Sequence, residues 1–284
     1  MSGGLSRLRL RFLGTGTSAG VPPIGAAAGV TSDNAFGGAD PRDRRTRTSA
    51  VVEFIDPGGR ERVVLIDTGP DLRSQALAAG LRRVDAILFT HGHVDHTFGL
   101  DEVRRFNVLM DQPIDVLADD RTMGFLQRVY KHVFESHANV QRSFVASLVP
   151  RLVAPWVEVD LFGLRVTPVP LLHGKLPILG FRFDAPGTGP VAPLLYATDT
   201  NAIPPESWGA FEGLGTLVLD GLRYRSHPTH FTLDEALGVA ERVGAGRTFF
   251  VHMSQEVVHA QADAALAGST GGRVRLAYDG LVVS

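Results

Sequence analysis

The chain contains no cysteine. Disulfides, thiolate nucleophiles and cysteine-bound zinc are therefore excluded, and any metal must be held by nitrogen and oxygen ligands. No apolar run approaches the roughly 18–20 residues of a membrane span. The opening residues, MSGGLSRLRLRFLG, lack the continuous apolar stretch of a signal peptide. They read instead as a strand, Leu8, Leu10 and Phe12 alternating with Arg7, Arg9 and Arg11. These absences lead to the expectation of a cytoplasmic protein with no membrane partner. An excess of charge of one sign is lacking too. The formal net charge is -2, so no global basic field draws the chain to nucleic acid, and an extended nucleic acid is not expected as a partner. What is present, 44% hydrophobic and 20% charged residues over 284 positions, suits a globular protein with a sizeable core. Nothing in the composition sets the oligomeric state, and a homodimer stays open.

β-Branched and aromatic residues bounded by turn formers mark strands at Leu8–Leu13, Ser49–Ile55, Arg62–Ile66 and Val84–Phe89. Phe98–Met110 reads as a helix, Ile114–Leu117 as a short strand and Asp119–Glu135 as one long helix, while 141–155 is ambiguous. Further strands are expected at Arg165–Pro168, Ile178–Phe183, Leu194–Thr198, Thr216–Asp220, Arg247–His252 and Val274–Tyr278. Thr232-Leu233-Asp234-Glu235 is a capping box opening a helix to about Val243, and another helix starts near Gln255. Pro186–Pro190 is a loop and not a domain linker. Strands and helices mixed throughout predict packed α and β layers in one domain spanning 1–284.

The strand Val84–Phe89 runs through Thr90 into His91-Gly92-His93-Val94-Asp95-His96. Residues just past the end of a buried strand are held rigidly and are well placed to bind a metal. His91 and His93 are two apart and His96 follows within one turn, so one short loop can supply ligands to two neighbouring ions. Imidazole and carboxylate suit zinc, manganese or iron. The alternative, a solvated polar turn, does not account for three histidines and an aspartate within six residues.

This run resembles the H-x-H-x-D-H signature of the metallo-β-lactamase superfamily. Phe12-Leu13-Gly14-Thr15-Gly16-Thr17-Ser18, the Asp67-Thr68-Gly69 after a strand, and later His and Asp positions fall in the order that family shows. The nearest likeness is to a branch holding phosphoribosyl cyclic phosphate phosphodiesterases and, more distantly, tRNase Z-like nucleases that process tRNA 3′ ends. The resemblance implies an α/β fold, a four-layer αββα sandwich with its site along one edge of two sheets. It implies two divalent metal ions, zinc or manganese with iron as a further option. His91, His93 and His173 would hold the first, Asp95, His96 and His252 the second, and Asp199 would bridge them. Asp67 is expected to orient a ligating histidine or to cap the Thr68–Asp71 turn, without ligating directly.

A bridged pair of metals serves lactams, thioesters and phosphate esters alike. A bridging carboxylate at Asp199 argues against a true β-lactamase. Asp220, at a strand end, and His230, just before the capped helix, match an acidic residue and a histidine of the phosphodiesterase branch. His230 could give a proton to a leaving alkoxide, with Asp220 holding its tautomer; a helix-entry polar residue and a strand-end cap are the plain alternatives. Arg223 and Arg225 could meet phosphate oxygens of the substrate or be ordinary surface arginines. The basic stretch Asp40–Arg47 reads as a solvated loop. His227 reads as an exposed loop residue, and His132, His137 and His259 as surface or core residues. Relatives often carry a structural zinc on cysteines after the position of Gly25. Here Ala26–Ser32 offers no ligand, so no such zinc is expected.

The leading expectation is thus a phosphodiesterase acting on a small phosphate ester, cyclic or open. A glyoxalase-II-like thioester hydrolase and a non-catalytic ligand-binding relative are the alternatives. A nuclease on large RNA would want a binding arm and a basic bias. A flavodiiron-type redox protein would want a flavin module and a glutamate at the second motif histidine.

Overall fold

A computed structural model describes residues 4–26, 40–140 and 144–284. Except for Ala26, the segment Ala26–Ser32 lies outside the described residues, and so does the expectation about its missing zinc.

The first sheet is built from β1 (Ser6–Gly14), β2 (Ser49–Ile55), β3 (Glu61–Ile66), β4 (Ala86–Leu88), β5 (Ile114–Ala118) and β6 (Leu148–Leu152), with β14 (Val282–Val283) returning to β1. The second runs in the order β13 (Val274–Leu276), β12 (Arg247–Val251), β11 (Thr216–Asp220), β10 (Leu194–Ala197), β9 (Leu176–Asp184), β8 (Leu164–His173) and β7 (Val159–Leu161). Each sheet is antiparallel at one end and parallel at the other. The two face each other across an apolar layer in which Phe12, Val52, Ile66 and Leu88 meet Phe181, Phe183, Tyr196 and Val218. On the outer face of the first sheet, Leu65, Ile87 and Val116 pack with residues of α1 (Leu72–Ala79), α3 (Arg104–Met110) and α4 (Asp120–Val129). On the outer face of the second, Leu195, Leu217 and Phe250 pack with α6 (Leu233–Val243) and α7 (His259–Thr270). The architecture is the αββα sandwich. The central strands are apolar on both faces, as their near-continuous runs of Val, Ile and Leu require.

The capping box forms: Glu235 N–H donates to Thr232 Oγ1 at 3.1 Å and Thr232 N–H to Glu235 Oε2 at 2.8 Å. Other elements differ from expectation. Phe98–Met110 is not one helix but a 3-10 turn, Leu100–Val103, followed by α3. The long helix expected over Asp119–Glu135 stops at Val129 and resumes as α5 (Lys131–Phe134). The break falls at Tyr130, whose hydroxyl donates to the Thr97 carbonyl at 2.9 Å, beside the histidine run. The helix expected from Gln255 starts only at His259.

β8 extends well past Pro168, to His173. Its prolines at 168 and 170 are tolerated because β7 ends before them. The Pro168 carbonyl faces that open side, where it accepts from Trp156 N–H, so the ring nitrogen lies on a side without a ladder. The loop at Asp40–Arg47 is not simply solvated. Arg45 is 2% exposed, pairs with Asp43 at 3.3 Å and donates to the Val257 carbonyl at 2.9 Å.

Candidate metal centre

The chemistry-bearing residues sit at carboxyl ends of strands. β3 leads into Asp67, β4 into Thr90 and His91, β8 ends on His173, β10 leads into Asp199, β11 ends on Asp220, and β12 leads into His252. Asp67, Asp199 and His252 adopt left-handed backbone, with φ of 59°, 56° and 63°. Non-glycine residues seldom do so, and where they do the surrounding structure must hold them there. His93 stands at the N-cap of a short helix, α2 (Val94–Thr97), which carries Asp95 and His96.

These ends converge. Ligand-capable atoms of His91, His93 and His173 lie within 4.8 Å of one another, and so do those of Asp95, His96, Asp199 and His252. His96 Nε2 is 3.1 Å from Asp199 Oδ2 and 3.3 Å from Asp95 Oδ2, and His252 Nδ1 is 3.1 Å from Asp199 Oδ1. Asp199 therefore faces both His96 and His252, one oxygen to each. A third grouping within the same span joins His173, Asp199 and His230.

The rings are held by their other nitrogens. His96 Nδ1–H donates to Asp67 Oδ2 at 2.7 Å, and His173 Nδ1–H donates to the Thr229 carbonyl at 2.9 Å. His91 Nδ1 lies 2.9 Å from Thr90 Oγ1, which donates in turn to Asp67 Oδ2 at 2.8 Å. Asp67 thus steers His96 directly and His91 through Thr90, while its Oδ1 accepts Thr90 N–H at 2.9 Å. Each of these rings is left with Nε2 and its lone pair directed inward. His91 Nε2 is buried with no hydrogen-bond partner among the described residues. Inward lone pairs, an orphaned imidazole nitrogen and two carboxylates are the donor set a divalent first-row ion takes, with outer carboxylate and carbonyl partners fixing the tautomers.

The electrostatics agree. Burial and the neighbouring His96 hold the His91 imidazole well below its ordinary pKa, so it is neutral and able to ligate. Burial opposes ionisation of Asp95 and Asp199, yet His96 and His252 hold both carboxyls below their usual range. Burial also works against a charged His96, but Asp199, Asp95 and Asp67 raise its pKa well above the ordinary value. Such a buried concentration of carboxylate calls for cationic charge.

Asp220 and His230 meet, His230 Nδ1 lying 2.6 Å from Asp220 Oδ2. Asp220 is fully buried, and burial raises its pKa well above the usual carboxylate value; burial lowers that of His230. The ring stacks on His252 at 4.7 Å and lies edge-on to His173 at 4.6 Å, so its far nitrogen faces the cluster. Arg223 is different. Its guanidinium donates to the carbonyls of Arg225 and Ser226, both at 3.1 Å, tying up its own loop. Arg225 pairs with Glu256 at 2.6 Å. His227 packs 5.0 Å from His230.

Several participants carried no sequence signal of their own. Thr17 Oγ1 is 3.3 Å from His252 Nε2, Thr198 Oγ1 donates to Asp199 Oδ1 at 2.7 Å, and Thr90 links Asp67 to His91. Hydroxyls are too common for position alone to single them out. Arg121, Phe125 and Arg128 of α4 line a cleft beside His91 and His93. They come near the histidine run only once the helix has packed.

A sequence profile described as "Beta-lactamase superfamily domain" matches residues 62–253. The chain belongs to the beta-lactamase superfamily. Among solved members, a structure described as a new diphosphatase from the PhnP family is 36% identical, with a TM-score of 0.82 and 98% of each chain covered. Zinc-bound PqqB from Methylobacterium extorquens, at 22% identity, TM-score 0.73 and coverage of 97% and 99%, shares the fold. Among curated members, an octanoyltransferase of Porphyromonas gingivalis is 32% identical over 250 residues, which is 87% of this chain and 46% of that protein. A ribonuclease Z of Methanopyrus kandleri is 31% identical over 152 residues, covering 53% and 48%. The chain spans about half the length of the curated relatives it matches. Among the described residues, no helix is long and apolar enough to cross a membrane.

Proposed function

We infer that this chain is a dinuclear metal-dependent phosphodiesterase acting on a small phosphate ester, cyclic or open. The observation that carries the reading is the His230–Asp220 pair, 2.6 Å apart and turned toward the Asp199 cluster. The full-length likeness to a PhnP-family diphosphatase points the same way. Two divalent ions, zinc or manganese with iron as a further option, would activate water as the nucleophile and offset charge on the attacked phosphoryl group, held by His91, His93 and His173, by Asp95, His96 and His252, and by Asp199 between them.

The rest of the work falls to the protein's own side chains. Asp220 accepts a hydrogen bond from His230 Nδ1–H, which turns Nε2 toward the site and supports the doubly protonated ring against the opposing effect of burial. In that imidazolium form, Nε2–H gives its proton to the alkoxide as it departs. A thiolate leaves at neutral pH without such help, because its conjugate acid has a pKa near 8.5. The pair therefore favours an oxygen ester over a thioester.

His230→Ala tests this reading. Both metals should stay bound, and the rate should fall roughly 10²–10⁴-fold, the range for losing a general acid. The loss should be large for alkyl phosphodiesters and small for p-nitrophenyl esters, whose leaving group departs as a stable anion. Equal losses for both classes would remove the proton-donor role. Loss of metal would instead make His230 a ligand, as its place near His173 and Asp199 allows.

A further inference from the structure

The imidazoles of the metal centre are not all held the same way round. His91, His96 and His173 each turn Nδ1 outward, to Thr90 Oγ1, Asp67 Oδ2 and the Thr229 carbonyl, and present Nε2 to the cluster. In His252 the two nitrogens trade places. Its Nδ1 lies 3.1 Å from Asp199 Oδ1, and its Nε2 lies 3.3 Å from Thr17 Oγ1. His252 is 1% exposed, and its Nδ1 has no hydrogen-bond partner among the described residues, a state it shares with His91 Nε2. Buried polar atoms are normally satisfied, so an orphaned imidazole nitrogen beside a carboxylate marks a ligand atom.

The plane of the His252 ring and its direction within that plane have different causes. The ring packs nearly parallel to His96 and to His230, at interplanar angles of 16° and 12°, and this stacking sets the plane. A half-turn about the Cβ–Cγ bond would leave the plane unchanged. It would put carbon where Nδ1 faces Asp199 and carbon where Nε2 faces Thr17. The Thr17 hydroxyl resists that turn, and its own place is dictated by backbone on two sides. Thr17 N–H donates to the Met253 carbonyl at 3.1 Å, Met253 N–H to the Thr15 carbonyl at 3.0 Å, and Thr48 N–H to the Gly16 carbonyl at 3.0 Å. A Cβ on Gly16 would meet the Arg45 carbonyl at 2.9 Å, so only glycine lets these segments approach so closely.

We propose that Thr17 is a positioning residue of the second metal site: it accepts Nε2–H of His252 and so keeps the Nδ1 lone pair beside Asp199. His252 then ligates through Nδ1, whereas His91, His96 and His173 ligate through Nε2. In an imidazole the bond made by one nitrogen decides which state the other takes, which is how a hydroxyl away from the ion can govern it. The proposal rests on the two-metal reading of the site and not on the choice of substrate. Its consequence is unequal treatment of the two ions. No hydrogen bond joins the Thr17 hydroxyl to His91, His93 or His173 among the described residues, so the first site should not feel its loss.

Two measurements test it. In crystals of zinc-loaded wild type, anomalous diffraction places the ions. The ion beside Asp95 and His96 should bond to His252 Nδ1; bonding to Nε2 overturns the proposal, whatever the variants do. Wild type, Thr17→Val and Thr17→Ser are then titrated with zinc against a chromophoric chelator. Valine keeps the branched shape without the hydroxyl, and should weaken one of the two ions roughly 10–100-fold while leaving the other unchanged. Serine keeps the hydroxyl and should bind both ions as wild type does. Wild-type affinity for both ions in Thr17→Val, or a serine variant as weak as the valine one, overturns the proposal. Equal weakening of both ions, with a lower melting temperature in the metal-free protein, makes Thr17 a structural residue and overturns it too. A wild type that takes up fewer than two ions overturns the dinuclear reading instead, and the proposal with it where the missing ion is the one beside Asp95 and His96. That outcome stands apart because it appears without any substitution.

Discussion

Asp67→Asn tests whether the steering of the imidazoles matters. Asp67 is fully buried and accepts three hydrogen bonds, from His96 Nδ1–H, Thr90 Oγ1–H and Thr90 N–H. An asparagine keeps the shape but has one oxygen and one amide nitrogen. With the oxygen turned to Thr90 N–H, the amide N–H points at His96, which must move its own proton to Nε2. That proton then faces Asp199 and Asp95, where the lone pair belongs. The same change disturbs His91 through Thr90. Losing an outer partner of this kind typically costs 10–100-fold in metal affinity. At saturating metal that removes about 1.4–2.7 kcal/mol of ligand-linked stability. A domain of 150–250 residues shifts by roughly 2–4 °C per kcal/mol, so metal-loaded Asp67→Asn should melt about 3–10 °C below metal-loaded wild type. Without metal the loss should be smaller than with it, because His96 keeps Asp199 and Asp95 as partners and burial already raises the Asp67 pKa. The assay is titration in chelator-buffered zinc with thermal melts at both extremes. Wild-type metal affinity in Asp67→Asn would refute the steering argument. An equal loss of melting temperature with and without metal would make Asp67 a structural residue.

Asp199→Ala removes the carboxylate that faces both His96 and His252. Elemental analysis should find fewer than two ions per chain and assays should find no turnover; two ions and normal rates would dismiss its role. Asp220→Asn should slow alkyl phosphodiester cleavage less than His230→Ala does, because the histidine stays with a poorer partner. A loss exceeding that of His230→Ala would show that Asp220 acts on something besides His230. His259 gives a pH test remote from the site. Burial, with the Arg42 cation beside it, lowers its pKa from 6.5 to about 4. Its folded pKa lies below its unfolded value, so its contribution is complete above about pH 6.5 and is lost as pH falls toward 4. The groups around it are Asp40, Arg42, Asp43, Arg45, Asp263 and Tyr278. Urea unfolding should show wild type losing up to about 3 kcal/mol more than His259→Leu between pH 7 and 4. Parallel pH profiles for the two proteins would contradict this.

How much of this could be read from the sequence depended on how local each signal was. The four ligand-capable side chains between His91 and His96 are contiguous and follow an apolar strand, so they announce themselves. His173, Asp199 and His252 are isolated, and only their order along the chain marked them. The sandwich was legible because its strands are short apolar runs bounded by turn formers. Helix boundaries were not, because tertiary contacts set them: Tyr130 breaks a run of good helix formers to reach the Thr97 carbonyl. The same cause hid the contacts of Thr17 with His252 and of Thr90 with Asp67, which exist only after distant elements pack. It also misplaced Arg45, a charge whose partners Asp43 and Val257 bury it.

Strand direction explains why so many separate pieces of chain meet at one place. In the first sheet β3 and β4 are parallel, and β1 runs the same way because β2 lies antiparallel between β1 and β3. In the second, β10, β11 and β12 are parallel, and β8 shares their direction because β9 lies antiparallel between β8 and β10. The carboxyl ends of these strands therefore fall along one edge of the sandwich. They deliver Thr17, Asp67, His91, His173, Asp199, Asp220 and His252. The antiparallel connections β2 and β9 end on the opposite edge and deliver none of them. Most of these strands are buried on both faces, so their ends cannot slide without breaking the apolar layers on either side. The left-handed turns at Asp67, Asp199 and His252 then aim each side chain inward at a fixed distance from the strand end. A site assembled in this way inherits its precision from the core. A purely apolar change in that core, such as Leu219→Ala one residue before Asp220, therefore disturbs the His230–Asp220 pair without touching a polar atom.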